Sequence, residues 1–150
     1  MEQETNSGGY SRFRTCETKT ECGYEGTGDF LRYRCIAIRM KFPSLNDYTR
    51  ACRADRYEAA KMKKDIEKGI GFYIANLPRF TYPVHIHFHW IEKNAKRDLD
   101  NIAFAKKFIL DALVKRGKLI DDSRKYVTGF TDTFEIGNEY KVIIEIIEQK

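Results

Sequence analysis

Long apolar runs are absent from this 150-residue chain, and no stretch approaches the roughly 20 residues needed to span a bilayer. The opening, MEQETNSGGYSRF, is acidic and polar where a signal peptide would be basic and then apolar. A soluble, cytoplasmic protein is the expectation. Cysteine is scarce: Cys16, Cys22, Cys35 and Cys52 contain no CxxC pair of the kind that clamps zinc. In a cytosolic chain they read as free thiols. An acidic excess is missing too. The 27 Lys and Arg outnumber the 22 Asp and Glu, for a net charge of +5, which favours a polyanionic partner. Residues 1–35 hold five basic and six acidic side chains, leaving 22 basic against 16 acidic in the rest, so the basic character belongs to the body of the protein.

What is present suffices for one domain. With 42% hydrophobic and 13% aromatic residues, the chain can build one core and is short for two. Half of the ten glycines fall in residues 1–35, a polar segment without helical or strand periodicity, which reads as a poorly ordered extension ahead of a domain over 36–150. From Cys35 the pattern changes. Ile36, Ile38, Met40 and Phe42 alternate with Ala37, Arg39 and Lys41, as in a strand stopped by Pro43. A long, interruptible helix follows, with Ser44 or Asn46 as its cap and Tyr48, Cys52, Ala59, Met62, Ile66, Ile70 and Tyr73 near helical spacing. Positions 50, 53, 57, 61, 64 and 68 step along another side by threes and fours, which puts Arg50, Arg53, Lys61, Lys64 and Lys68 in one cationic stripe.

The segment VHIHFHW, Val84–Trp90, carries all three histidines at the two-residue period of a strand. His85, His87 and His89 should therefore share one face, with Val84, Ile86, Phe88 and Trp90 on the other. A second amphipathic helix is marked by Ile102, Phe108, Ile109, Ala112 and Leu113, and ends at Gly117. Two further strands follow, around VTGFTDTF and YKVIIEIIEQK, with IGNE between them as a hairpin signal. The order β-α-β-α-β-β gives an α+β fold, a small mixed sheet packed with two main helices.

The informative stretch for chemistry is KRDLDN. Asp98 and Asp100 lie two apart just before a helix, so in extended backbone both carboxylates face one point. Asp121 and Asp122 arrive in the loop after that helix. Carboxylates from two loops suit a hard divalent cation such as Mg²⁺, which keeps other positions for water and phosphate oxygens. The plainer alternative is that Asp98 caps a helix and that the DD pair shapes a turn. Counted from Asp100 at about 100° per residue, Phe104 and Lys107 return to nearly the same helical face while Lys106 turns away. A lysine there could orient a phosphate or stabilise charge developing on it.

The stretch KRDLDNIAFAKKFILDALVKRGKLIDDSRKYVTGF, together with KFPSLNDYTRACRADRYEAAKMKK upstream, resembles the RusA-type crossover-junction endodeoxyribonucleases. These are Holliday junction resolvases, and the likeness is to the short forms carried by phages and prophages. The shared pattern is a basic pair, DxDN, a helix containing lysine, a DAL segment and a DD turn, and it covers roughly residues 36 to 148. The resemblance implies a homodimeric, magnesium-dependent endonuclease that cuts branched DNA in recombination and repair. It implies Asp98, Asp100 and Asp122 as metal ligands. Alignment from the start of the helix would place the family's lysine at Phe104, whereas alignment backward from Asp111 places it at Lys107, with Lys106 as second choice. Around these, Arg50, Arg53, Lys61, Lys64, Lys96, Arg97, Arg124 and Lys125 are candidates for contact with the sugar-phosphate backbone.

Two rival readings keep the same residues and change their meaning. In one, the basic surfaces bind DNA without catalysis and the aspartates are structural. In the other, cysteines and histidines form a zinc-stabilised interaction module, although imidazole prefers softer metals than the aspartates do and the histidine row reads more simply as the polar face of a strand.

Overall fold

A computed structural model describes residues 33–149 of the chain. Its elements are β1 (Tyr33–Ile38), α1 (Leu45–Ala54), α2 (Arg56–Ile74), β2 (Val84–Glu92), α3 (Leu99–Ala103), α4 (Lys106–Lys115), β3 (Val127–Ile136) and β4 (Lys141–Glu148). The fold is α+β, as the periodicity indicates, with each expected helix divided in two. Ser44 is the cap of α1: its hydroxyl accepts from Asp47 N at 3.1 Å while the Asp47 carboxylate accepts from Ser44 N at 2.9 Å, a closed capping box. Asp55 then ends α1 in an extended conformation and caps α2 by accepting from Tyr57 N at 2.9 Å. One residue thus stops one helix and starts the next. The cationic stripe is consequently not one helical row, since Arg50 and Arg53 ride on α1 and Lys61, Lys64 and Lys68 on α2.

The four strands lie in the order β1-β4-β2-β3. β2 runs parallel to β3, with α3 and α4 as the crossover between them, and antiparallel to β4; β1 pairs antiparallel with β4. The expected hairpin between the last two strands does not form. Gly137 leads the chain across the end of β2, donating its N–H to Glu92 O at 2.8 Å, and β4 then enters on the far side of β2. A Cβ at Gly137 would come 2.8 Å from Ile91 Cγ2, so glycine serves close passage over β2 there. The driving force is apolar: Val142, Ile144 and Ile146 of β4 are fully buried, which a central position provides and an outer hairpin strand would not.

The first strand also differs from expectation. It begins at Tyr33 and ends at Ile38, so a domain boundary at residue 36 would cut it; Tyr33, Arg34 and Cys35 already pair with Ile147, Ile146 and Glu145 of β4. The rest of the expected N-terminal extension, with Cys16 and Cys22, lies outside the described residues.

One face of the sheet and all four helices share the core. Ile86 and Phe88 of β2 and Ile144 and Ile146 of β4 meet Ile66, Ile70 and Ile74 of α2, Ile102 of α3 and Phe108, Ile109 and Leu113 of α4, with Tyr48 of α1 packed against them. Phe88 and Trp90 stack at 5.5 Å, and Phe42 meets Trp90 edge-on at 6.3 Å. Each such side chain contributes about 1.5–3 kcal/mol by burial. On α1 the buried position is Ala51, not Cys52, which is exposed.

Candidate functional site

Asp98 occupies the N-cap of α3 with extended backbone, yet its carboxylate makes no capping hydrogen bond. That is unusual, because a cap aspartate ordinarily accepts from an amide two or three residues on. Asp100 lies in the first turn of α3. Both are exposed, and neither carboxylate has an ion pair or hydrogen bond among the described residues. Because Leu99 and Asp100 are already helical, the extended backbone that would aim both carboxylates at one point is not present, and each is open to a cation or to solvent on its own.

Asp122 stands elsewhere. It lines a concavity of about 400 Å³ with Lys63, Glu67, Lys107, Asp111 and Lys115, between α2 and α4. There Lys63 Nζ lies 2.8 Å from Asp111 Oδ2, and Lys115 Nζ 2.9 Å from Glu67 Oε2. The hydrogen bond from Lys63 to Asp111 raises the ammonium above its ordinary pKa. Lys107 is 62% exposed and lies 3.5 Å from Asp111 Oδ1, so it belongs to the Asp122 concavity. Asp121, beside Asp122, is held below the ordinary carboxylate pKa by a hydrogen bond from Ser123. Among the described residues no group of three His, Cys, Asp or Glu side chains is arranged to hold a metal. Of the three aspartates that the resemblance implies as metal ligands, Asp98 and Asp100 stand at the start of α3 and Asp122 lines the concavity between α2 and α4.

Two of the basic candidates are committed to the fold. Arg97 pairs bidentately with Glu92, through Nε to Oε2 at 3.0 Å and Nη2 to Oε1, and donates from Nη1 to Phe42 O at 2.8 Å. With the side chains only 18% and 11% exposed, this fork ties the end of β2 to the residue before Pro43 and commits three of the five N–H groups of Arg97, and its charge, to the fold. Lys106, the second choice for the lysine, pairs with Asp132 of β3 and lies 5.1 Å and 5.8 Å from the ring centroids of Phe130 and Phe88. Asp132 also accepts from Trp90 Nε1 at 2.9 Å. This triad was not anticipated from the sequence, although an aspartate between Phe130 and Phe134 on the helix-facing row of β3 signals that a buried partner must exist. By contrast Arg50, Arg53, Lys61, Lys64, Lys96, Arg124 and Lys125 are exposed and form no ion pair with any described residue.

The histidine row faces away from the helices. His85 Nε2 meets Thr131 Oγ1 at 2.8 Å. Thr133 Oγ1 bridges His87 Nε2 at 3.0 Å and His89 Nδ1 at 2.7 Å. His89 Nε2 reaches Glu135 Oε2 at 2.8 Å, and His87 Nδ1 lies 3.4 Å from Glu145 Oε2. Glu145 also accepts from the Tyr33 hydroxyl at 2.8 Å. These contacts cross from β2 to its neighbours at register positions set by the pairing, so the row acts as side-chain stitching on the sheet.

No protein-family model and no curated protein matches the chain.

Proposed function

We propose that the chain is an endodeoxyribonuclease that hydrolyses phosphodiester bonds in branched DNA, four-way junctions above all, and acts as a homodimer with Mg²⁺. The reading rests on the ordered motif from KRDLDN to the DD turn. The observation that carries it is the carboxylate of Asp98, which sits at the cap position of α3 without making a capping hydrogen bond. Asp98 and Asp100 are the carboxylates open to a cation. Lys107 and Asp122 line the concavity between α2 and α4, where Lys107 and Lys63 both pair with Asp111.

The exposed Arg50, Arg53, Lys61, Lys64, Lys96, Arg124 and Lys125 would hold the sugar-phosphate backbone without reading sequence. Branch recognition by shape would then need two such surfaces at a fixed separation, which a symmetric dimer supplies.

One observation favours a second reading, a non-catalytic DNA-binding protein. The three aspartates are not gathered into one site. A labelled four-way junction and a matching linear duplex, incubated with Mg²⁺ or with chelator, separate the two readings. Paired nicks in the junction that need Mg²⁺ and vanish in Asp100→Asn are expected. Binding without cutting under every divalent metal tried would leave the binding protein.

A further inference from the structure

At the C-terminal ends of β2 and β3 a second concavity, of about 390 Å³, has Asp98 in its wall. Its apolar lining is unusually open: Leu99 is 57% exposed and Ile136 60%, with Phe134 and Ile102 behind them. Its polar lining comes from Asp98, whose carboxylate makes no capping hydrogen bond, from Asn94, and from Glu92 and Glu135, whose carboxylates are held by Arg97 and His89. The one cationic side chain in the wall, Arg97, is ion-paired with Glu92 and donates as well to Phe42 O.

That chemistry rejects phosphate, which would meet carboxylates with no free cation to offset them. It suits a flat, neutral, largely apolar group bearing N–H donors. A nucleobase with an exocyclic amine fits both terms, its face against Leu99 and Ile136 and its amine toward a carboxylate. Apolar Leu and Ile side chains are among those that proteins insert at unstacked base steps, and such steps cost least where pairing is already broken.

We infer that the concavity formed by Leu99, Ile136 and Phe134 beside Asp98 receives an unstacked nucleobase, so that Leu99 and Ile136 set the preference for branched over linear DNA. The inference rests on the branched-DNA reading and supplies what that reading lacks, a way to select the branch with side chains other than the basic ones. Because Asp98 lines the same concavity, the nucleotide held there is the one offered to the aspartate pair. Leu99 and Ile136 are specificity residues in this account and take no part in the chemistry.

The experiment uses the full chain and synthetic junctions carrying 2-aminopurine at the branch, with the same label in a linear duplex. Wild-type protein should raise the fluorescence of the junction label and leave the duplex label unchanged. Leu99→Ser and Ile136→Ser, both at exposed positions, should keep the wild-type circular dichroism and lose the rise, with junction affinity falling about tenfold per lost apolar contact and duplex affinity unchanged. An unchanged rise in both variants would overturn the inference. So would a change of oligomeric state by sedimentation, which would mark the patch as a contact between two copies of the chain. Cleavage is scored in parallel. A rise that depends on Leu99 and Ile136 without cutting keeps the base pocket and removes the nuclease, whereas cutting that is indifferent to both residues does the reverse.

Discussion

On the face of the sheet turned away from the helices, His85 Nε2 and both ring nitrogens of His87 and His89 are engaged by Thr131, Thr133, Glu135 and Glu145. At the start of α3, Asp98 and Asp100 have no such partners among the described residues. By residue type the first region looks like a metal site and the second like an ordinary helix cap. Their hydrogen bonds argue the opposite. A polar side chain whose capacity is filled by its own chain stabilises that chain, and one left open at a surface is available to something else.

The comparison can be broken most sharply at the aspartates. Asp100→Asn should lower junction cleavage by about 10²–10³-fold or more, the scale of removing one charged group from a site that stabilises developing charge. Stability should stay within about 0.5 kcal/mol of wild type by denaturant titration, because the side chain is exposed and unpartnered.

Arg97→Ala should invert that pattern. Removing the fork strands the buried Glu92 carboxylate, at about 3–5 kcal/mol in chemical denaturation. Lys96→Ala, one residue away and exposed, should leave stability alone and reduce the salt dependence of DNA binding by about one unit of slope.

A smaller effect is expected on the sheet. Thr133→Val removes the hydroxyl between His87 and His89 and should cost about 1–3 kcal/mol, with no change in cleavage at temperatures where the variant is folded.

The smallest effect belongs to the cap of α1. Ser44→Ala should cost about 1 kcal/mol. The hydrogen bonds from Ser44 hold the Asp47 carboxyl below its ordinary pKa. A lowered folded value means that this contribution is present above the ordinary carboxylate range and lost as pH falls through the lowered value. Ser44→Ala keeps the backbone N–H, the larger of the two causes, and removes the hydroxyl, so it should flatten the acid limb of a stability-against-pH curve only in part.

Much of this architecture is legible in the residues. Period-two alternation in VHIHFHW fixes which face of β2 is buried, and the 3.6-residue spacing of Ile102, Phe108, Ile109, Ala112 and Leu113 fixes the inner face of α3 and α4. What is not legible is pairing between distant segments. IGNE has the composition of a hairpin turn, but turn chemistry is local, while the burial of Val142, Ile144 and Ile146 beside β2 is a long-range gain that overrides it. A helical wheel through Asp100 and Lys107 likewise assumes one continuous helix. The break at Phe104 and Ala105 leaves Lys107 with Asp111, in the concavity that Asp122 also lines. The charge of Arg97 is visible in the sequence, but its partner Glu92 becomes visible only once β2 ends beside it.

The most direct test sets Asp98→Asn against His87→Ala in one single-turnover cleavage assay on a four-way junction, each variant first shown to be folded by its thermal melt. The account predicts that Asp98→Asn loses cleavage while its melt is unchanged, and that His87→Ala melts lower yet cuts at the wild-type rate. A folded His87→Ala protein that fails to cut, beside an Asp98→Asn protein that cuts normally, would contradict it.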